Sequence, residues 1–574
     1  MARANEAVAT LLQEYADLIS ITGGEAFKVR VYEKAARAVD GHPTDVATLD
    51  LKGLQQVPNV GRSIAEKIVE YLANGKIEAM EVLRARIPKG VRELTAVPGL
   101  GPKKAVVLYE ELGIATIVDL EEAIREGRLS GLRGFGAKTA ENLLHGIELS
   151  RSGGGRSQIH DAMTVAEEAV RLVGSVDGCL RCCYAGSLRR MRETIGDIDI
   201  LAAAHEPVPL MAAFAQWNRV AEIIVRGEKK TSVRLVGGTQ VDLRVVPPES
   251  WGAALQYFTG SKDHNVRIRE IAVRKGLRLS EYGLFRVEDG SLIVSETEEE
   301  VYERLGLAWV PPTLREDRGE VDAALAGDLP TLVEVGDIRG DLHTHTNLTD
   351  GVSTLEEMVA AARARRLNYF VVTDHAKDLP MQRMTDAKML AQRKRVRSLA
   401  AESGRMALLH GTELNIGPEG DVDWGPEFLA GFDLCVASVH SHFNQTAEDL
   451  TRRLVRACEN PYVNVIGHPT TRQIGRRARI EPDWDAVFAA AARTGTAMEV
   501  NSHPDRLDLP DDLIVRARRH GVRFAINTDS HATTHMPFLR YGVGIAQRGW
   551  LTPADVINTW TLSKLRAFVR AKRP

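Results

Sequence analysis

Eleven of the sixteen histidines in this 574-residue chain lie after residue 340, and they keep company with acids. His343, His345, Asp350, His375, Glu413, His440, His468, Asp529 and His531 form the candidate ligand set. His343 and His345 are two apart, as are Asp529 and His531, a spacing that puts both side chains on one face of a strand. Nine nitrogen and oxygen donors exceed the needs of one ion. They suit two or three ions of the manganese, zinc or iron type. Such a cluster makes hydroxide at neutral pH and clamps a phosphate, the chemistry of phosphoester hydrolysis. A lone strand-end histidine would merely satisfy backbone groups, but nine residues in one pattern exceed that role. His410, His442, His503 and His535 fall outside the set and read as supporting or structural.

A second set lies in GSLRRMRETIGDIDIL, residues 186–201. Asp197 and Asp199 alternate, so a strand there aims both carboxylates one way. Asp242, in VDLRVV, belongs to another strand whose apolar pattern suits a neighbour in the same sheet. Three carboxylates can hold two magnesium ions for an in-line phosphoryl displacement. Gly186 and Ser187, followed by Arg189 and Arg190, offer a polyphosphate close backbone approach, a hydroxyl and guanidiniums.

These side chains need elements to position them. After residue 340, apolar strand candidates appear at 341–345, 369–375, 407–414, 434–440, 463–468, 497–503 and 523–531, most separated by helix-like segments. That alternation predicts a parallel βα barrel one strand short of the usual eight. Six candidates end in histidine and the other in Glu413-Leu414, so the polar ends should meet at the mouth formed by the C-terminal strand ends. From about 160 to 250 the text reads as a helix and then strands of an α/β sheet. A helical, turn-rich piece follows to about 310, then a proline-containing, acidic connection over 311–336. Residues 1 to about 150 read as helices with a recurring hairpin: VPNVG (57–61), VPGLG (97–101) and LRGFG (132–136), each before a helix. A glycine-rich linker spans 151–157. A tight turn feeding a helix start presents amides to a DNA phosphate, which marks Gly61, Gly99, Gly101, Gly134 and Gly136 as DNA-binding candidates.

Composition sets the outer bounds. Apolar residues are 44% and charged residues 26%, ordinary for a globular chain. Aromatics at 5% argue against broad base stacking. The net charge of −3, from 74 basic and 77 acidic residues, argues at first against DNA. Its distribution removes that objection: residues 287–341 hold 15 acids and 4 basic residues, which leaves the remainder of the chain at +8. Affinity for DNA should be modest and salt-sensitive. Five cysteines, no transmembrane run and no secretory pattern predict a cytoplasmic protein. Cys179 and Cys182 have C-x-x-C spacing with no second pair to complete a zinc site, and Cys182 and Cys183, in an apolar strand-like run, read as buried core residues.

The motifs together resemble a known family across nearly the whole chain. The middle set, continuing into VDLRVVPPESWGAALQYFTGSKDHN (241–265), resembles the nucleotidyltransferase palm of family X DNA polymerases. The resemblance implies catalytic metals on Asp197, Asp199 and Asp242, and triphosphate contacts from Ser187, Arg190 and Gly196. It places Tyr257, Phe258, Thr259 and Gly260 in the sugar and base pocket of the dNTP site. Asn265 and Arg269 join that site along the minor groove. The hairpins resemble helix–hairpin–helix motifs. EAFKVRVYEKAARAV (25–39) with VPNVGRSIAEKIVEYL (57–72) is similar to the small lyase domain of that family, which implies a Schiff-base nucleophile at Lys67 and a 5′-deoxyribose phosphate lyase. Phe27 and Ser63 stand where the animal repair enzyme has histidine and lysine, which removes phosphate-binding charge.

DLHTHTNLTDG, TDH, GTELNI, SVHSHF, IGHPT and NTDSHA resemble the PHP (polymerase and histidinol phosphatase) domain. Its fold is a distorted seven-stranded βα barrel with up to three ions. The expected organisation is a lyase-like helical domain at 1–85 and a second helix–hairpin–helix domain at 86–155. A mixed-sheet palm spans 156–250 and a dNTP and primer–template subdomain 251–315. A linker at 316–336 leads to the metallo-hydrolase barrel at 337–574. The resemblance implies a bacterial gap-filling repair polymerase joined to a 3′–5′ exonuclease. It would use two Mg2+ in the palm and Mn2+, or Zn2+/Fe2+, in the barrel. It would act as a monomer on gapped or nicked DNA, primer 3′ ends and dNTPs, away from membranes. The alternatives are a barrel that is mainly an abasic-site endonuclease or 3′-phosphatase, and a non-catalytic DNA-end scaffold.

Overall fold

Strands buried on both faces must be covered on both sides, and the barrel segments are of that kind. YFVV, LCVAS, AMEVN and FAIN are buried throughout. In the computed structural model, Gly340–Asp341, Tyr369–Val372, Ala407–Asn415, Leu434–Ser438, Val465–Ile466, Ala497–Asn501 and Phe524–Asn527 pair in parallel, in chain order. A parallel bridge between Thr344 and Ser530 links the loops that follow the first and last strands, so the barrel is nearly closed. Helices return the chain between strands, several started by threonine caps: Thr354, Thr385, Thr446 and Thr561 each accept a hydrogen bond from an amide three residues on. Leu434, Val465 and Ala497 pack with Leu565 and Val569 of the last helix, Leu562–Lys572, which fills the N-terminal end. The polar strand ends are left to the opposite mouth.

The description covers residues 4–574 apart from 23, 24, 43, 88–90, 92, 93, 95, 96, 98, 99, 101, 130, 133, 134, 137, 138, 141, 142, 145, 146, 148–155, 380, 381, 383 and 403. Gly99, Gly101 and Gly134, and the linker from 151 to 155, lie outside the described residues. None of the described helices is long and apolar enough to cross a membrane.

The middle region is a mixed five-stranded sheet in the order Arg181–Tyr184, Asp197–Ala203, Gln240–Val246, Lys230–Leu235, Val220–Arg226. Asp197–Ala203 and Gln240–Val246 run parallel and the other pairs antiparallel. Ile198, Ile200 and Ala202 point to one face with Val241, Leu243 and Val245, under helices Ile159–Gly174 and Val208–Ala215. Leu201, Ala203 and Val246 point to the other, against Trp251 and Ala254 of helix Trp251–Thr259. The edge strand Val220–Arg226 was not expected; it is largely exposed and lacks the alternation that marks a half-buried strand.

Two expectations change downstream. The helical, turn-rich piece also carries a three-stranded antiparallel sheet, Leu277–Ser280, Gly283–Arg286 and Leu292–Val294. The stretch 316–336, expected as a linker, forms helix Glu320–Ala326, and its Val321, Ala324 and Leu332 share an apolar cluster with Tyr302 and Leu305. Its acids are partly internal: Glu320 lies 2.6 Å from the buried His264. Glu298 similarly accepts from the buried Arg315 at 2.7 Å.

The N-terminal region is helical, as expected, with Asn5–Ile21, Ala26–Asp40, Arg62–Asn74, Glu78–Arg86, Pro102–Leu112 and Ile117–Arg125. One backbone bond recurs in the three hairpin motifs: the Val60 amide donates to the Val57 carbonyl, Leu100 to Val97 and Phe135 to Leu132, each at 3.0 Å. Asn59 adopts the left-handed conformation, with φ 63°. Gly41 packs so closely on the barrel that a Cβ there would lie 2.9 Å from the Cβ of Ala532, and its carbonyl accepts from Thr534.

Gly252 tests the account of the second sheet face. A Cβ there would lie 2.2–2.3 Å from backbone atoms of Thr297, which cannot rotate away. Gly252→Ala should cost about 1–3 kcal/mol by overpacking. A lowered unfolding temperature of the full chain in a calorimetric scan is the expected result.

Candidate active sites

Asp199 and Asp242 are register partners across the parallel strand pair, and Asp197 opens the same strand. The three carboxylates expected together are therefore neighbours. Burial first, and then the charges of Asp197 and Asp242, push the Asp199 carboxyl up to about 7. Burial also raises Asp242, but the Lys230 ammonium, 2.5 Å from Oδ2, and Gln240, 3.0 Å from Oδ1, hold it below the usual carboxylate range. A cation thus already sits against these carboxylates, and their mutual repulsion is what divalent ions relieve. The donor set fits two such ions.

The Gly186–Ser187 turn lies directly above. Gly186 has φ 60°, and a Cβ there would lie 2.2 Å from Oδ2 of Asp199, so only glycine allows the approach. Arg190 links this turn to the Tyr257–Gly260 segment by donating to the Thr259 carbonyl at 2.6 Å, and it pairs with Glu316 at 3.1 Å. Arg189, read from the sequence as a further polyphosphate guanidinium, is instead held by both oxygens of Glu298 at 2.8 Å. Tyr257 and Phe258 are ring neighbours at 5.1 Å, with Arg244 over Phe258 at 4.5 Å. Asn265 donates to the Tyr257 carbonyl at 2.7 Å, and Arg269 donates to the Asn265 carbonyl at 3.1 Å. Gly196 lies between the short strand Thr194–Ile195 and Asp197, where a Cβ would be 3.0 Å from Arg156. Lys230 and Gln240 were missed by sequence reading; their position on strands beside Asp242 was the available signal.

At the barrel mouth all nine expected ligands converge. Three groups have ligand atoms within 4.8 Å of one another: His345, Asp350, His375 and His531; His343, His345 and Asp529; and His375, Glu413 and His440. His468 reaches Glu413 at 2.9 Å. Strand alternation does not aim them all. The first strand ends at Asp341 and the last at Asn527, so His343, His345, Asp529 and His531 lie beyond regular strand. Asp529 and His468 reach inward from positive φ, 52° and 28°. Burial raises the carboxyls of Asp350, Glu413 and Asp529, yet the surrounding histidines hold all three well below the usual range. Nε2 of His343, both ring nitrogens of His345, Oδ1 of Asp350, Nδ1 of His375 and Nδ1 of His468 are buried without a hydrogen bond. Buried polar atoms are ordinarily satisfied, so this concentration fits divalent metals that would take those atoms as ligands.

Glu499 was also missed. It accepts from Nδ1 of His343 at 2.7 Å and from the His468 amide at 2.7 Å, fixing which His343 nitrogen faces the cluster. Its signal was its place in the strand-end run AMEVNSH. His410 contacts Gln392 at 3.2 Å, His535 stacks on Phe538, and His503 meets Phe538 edge-on, consistent with supporting roles. Cys179, Cys182 and Cys183 are free thiols, and no cysteine joins a metal-ligating group among the described residues. In the N-terminal domain Lys67 lies on helix Arg62–Asn74, with Nζ 3.3 Å from Oγ of Ser63, while Phe27 is 67% exposed. Gly61 caps that helix and Gly136 starts another, and a Cβ at either would meet nothing within 4 Å.

An acidic sheet site beneath a Gly-Ser turn, beside a polynuclear ligand barrel, defines a nucleotidyltransferase fused to a metal-dependent phosphoesterase fold. Residues 254–316 match the DNA polymerase beta thumb and residues 341–503 the PHP domain. Residues 3–77 match a helix-hairpin-helix domain and 91–148 a SAM-like helix-hairpin-helix tandem. The chain is 35% identical over 98% of both lengths to the DNA polymerase/3′-5′ exonuclease PolX of Bacillus subtilis. It is 26% identical to DNA polymerase lambda of Rattus norvegicus, over 51% of this chain and 53% of that one. A probable phosphatase of Thermoanaerobacter is 26% identical, over 41% of this chain and 95% of that one. The chain belongs to the family X DNA polymerases that carry a PHP domain.

Chelation tests the reading of the orphaned atoms. Stripping divalent ions should lower the barrel's unfolding temperature, and Mn2+ at 100 times its Kd should restore about 2.7 kcal/mol. In His343→Ala/His345→Ala, most of that metal-dependent rise should vanish from the calorimetric scan.

Proposed function

We propose that the palm extends primer 3′ ends across short gaps in damaged DNA, and that the barrel trims 3′ ends by hydrolysis. The observation that carries this reading is the in-register pair Asp199 and Asp242, with Asp197, beneath a glycine turn that only a small backbone can form. The Bacillus relative, named for both activities and matched end to end, supports it.

In this reading Asp197, Asp199 and Asp242 hold two Mg2+, and the nine barrel residues hold Mn2+ or Zn2+/Fe2+. Bound divalent ions lower the pKa of a hydroxyl or water and offset phosphate charge at both sites. Ser187, Arg190 and Gly196 orient the triphosphate. Tyr257, Phe258, Thr259 and Gly260 shape the sugar and base pocket, with Asn265 and Arg269 along the minor groove. Asp242 lies nearest the primer hydroxyl, and Lys230 keeps that carboxylate charged for metal binding. Glu499 orients His343. Gly61, Gly99, Gly101, Gly134 and Gly136 present amides to DNA phosphates, contacts that position DNA without reading sequence. Lys67 is the candidate lyase nucleophile. The substrates are gapped or nicked DNA and dNTPs, and the protein acts as a monomer.

Asp197→Ala/Asp199→Ala should abolish nucleotide addition on one-nucleotide-gapped DNA and spare 3′ trimming. His343→Ala/His345→Ala should do the reverse. Loss of both activities in either variant would overturn the two-site reading. Product lengths on a labelled abasic duplex would separate end trimming from cleavage at the lesion.

A further inference from the structure

The turn that carries Ser187 and Arg190 is held by the barrel. Helix Leu539–Arg548 packs against it at two points. Met191, with φ 55°, sits on Gly544, where a Cβ would lie 2.5 Å from Cε and 2.9 Å from Cβ of Met191. One turn on, Arg548, whose side chain is 2% exposed, donates through Nη1 to the Arg190 carbonyl at 2.9 Å and to Oε1 of Glu316 at 2.8 Å. Its Nη2 donates to Asp511 at 2.7 Å, which anchors it to the barrel. That same Oε1 of Glu316 accepts from Nε of Arg190 at 3.1 Å. Farther along, Glu193 accepts from Arg472 of the barrel at 2.7 Å, and Arg472 also bonds the Arg506 carbonyl at 2.8 Å.

Arg548 thus holds the Arg190 carbonyl directly and, through the shared Glu316, one of the two partners of its guanidinium; the other is the Thr259 carbonyl. A carboxylate alone beside Arg190 would draw the guanidinium toward itself and away from a triphosphate. Here Glu316 is shared between Arg190 and Arg548, and Asp511 takes the other side of Arg548, so neither carboxylate pairs with Arg190 alone. A flexible turn holding a polyanion loses orientational freedom on binding; a turn already fixed by the barrel has less to lose.

We propose that Arg548 is a positioning residue for nucleotide binding: the barrel, besides its own chemistry, sets the triphosphate turn of the palm through Arg548, Glu316 and Gly544. The proposal rests on the reading that Arg190 contacts the triphosphate, and the two are tested apart.

The test uses the full-length protein with Mg2+ on one-nucleotide-gapped DNA. Arg548→Met keeps the buried volume and removes the bonds. KM for the dNTP should rise about tenfold, with kcat within about twofold and 3′ trimming by the same preparation unchanged. Arg548→Lys, which retains the charge, should recover part of the loss. An unchanged KM in Arg548→Met, or proportional loss of both activities, would overturn the proposal. Arg190→Ala separates the underlying reading. If it leaves KM unchanged, the triphosphate assignment fails and the proposal fails with it. If Arg190→Ala raises KM while Arg548→Met does not, only the positioning role fails.

Discussion

Glu413 is 1% exposed and has five histidines around it: His343, His345, His375, His440 and His468. A carboxylate taken so far out of water must be matched by positive charge or ligated to a metal. The barrel is organised around that requirement. Its N-terminal end is filled by apolar side chains and the last helix, so the polar groups converge at the other end. Glu499, Asn501 and Asn527 form a further layer: Glu499 accepts from both asparagines and orients His343. The unbonded ring nitrogens of His345 show where hydrogen bonding inside the protein stops and ligation would begin.

The palm meets the same constraint with less burial. Asp197 is exposed, while Asp199 and Asp242 sit deeper, and Lys230 lies against Asp242. The site is therefore open along one side. The Gly186 approach to Asp199 closes the other side. Buried ion pairs recur just behind it. Glu298 binds Arg189 and Arg315, and Glu320 binds His264, so the acids that give 287–341 its negative charge partly serve as internal ties.

The two halves are not beads on a string. Arg540 pairs with Glu167, Tyr541 with His160 and Arg472 with Glu193, and each contact joins a barrel residue to the palm. The stretch between them folds onto the thumb region instead of spanning open solvent, because Val321, Ala324 and Leu332 have an apolar cluster to join. The N-terminal domain adds a close glycine contact at Gly41. Synthesis and hydrolysis in one chain are thus carried on surfaces that share walls.

Much of this was legible in the residues. The seven strand candidates, the nine ligand types and the three aspartates all follow from local pattern, because strand burial and metal or phosphate chemistry impose residue types at short spacing. The repeated hairpins were legible for the same reason: each is a turn of five residues. Local pattern could not show the edge strand Val220–Arg226, whose exposed faces carry no periodicity, or the helix within the acidic stretch. Nor could it show that Arg189 is bound to Glu298 while Arg190 is bound to Glu316, since both are arginines in one turn. The sequence by itself determined which chemistry the chain carries and in what order. Only the tertiary structure decided which charges neutralise which, and that the barrel holds the palm's turn. Pairings such as Arg189 with Glu298 and Arg548 with Glu316 join residues more than a hundred positions apart, where no spacing rule reaches and only packing brings the partners together.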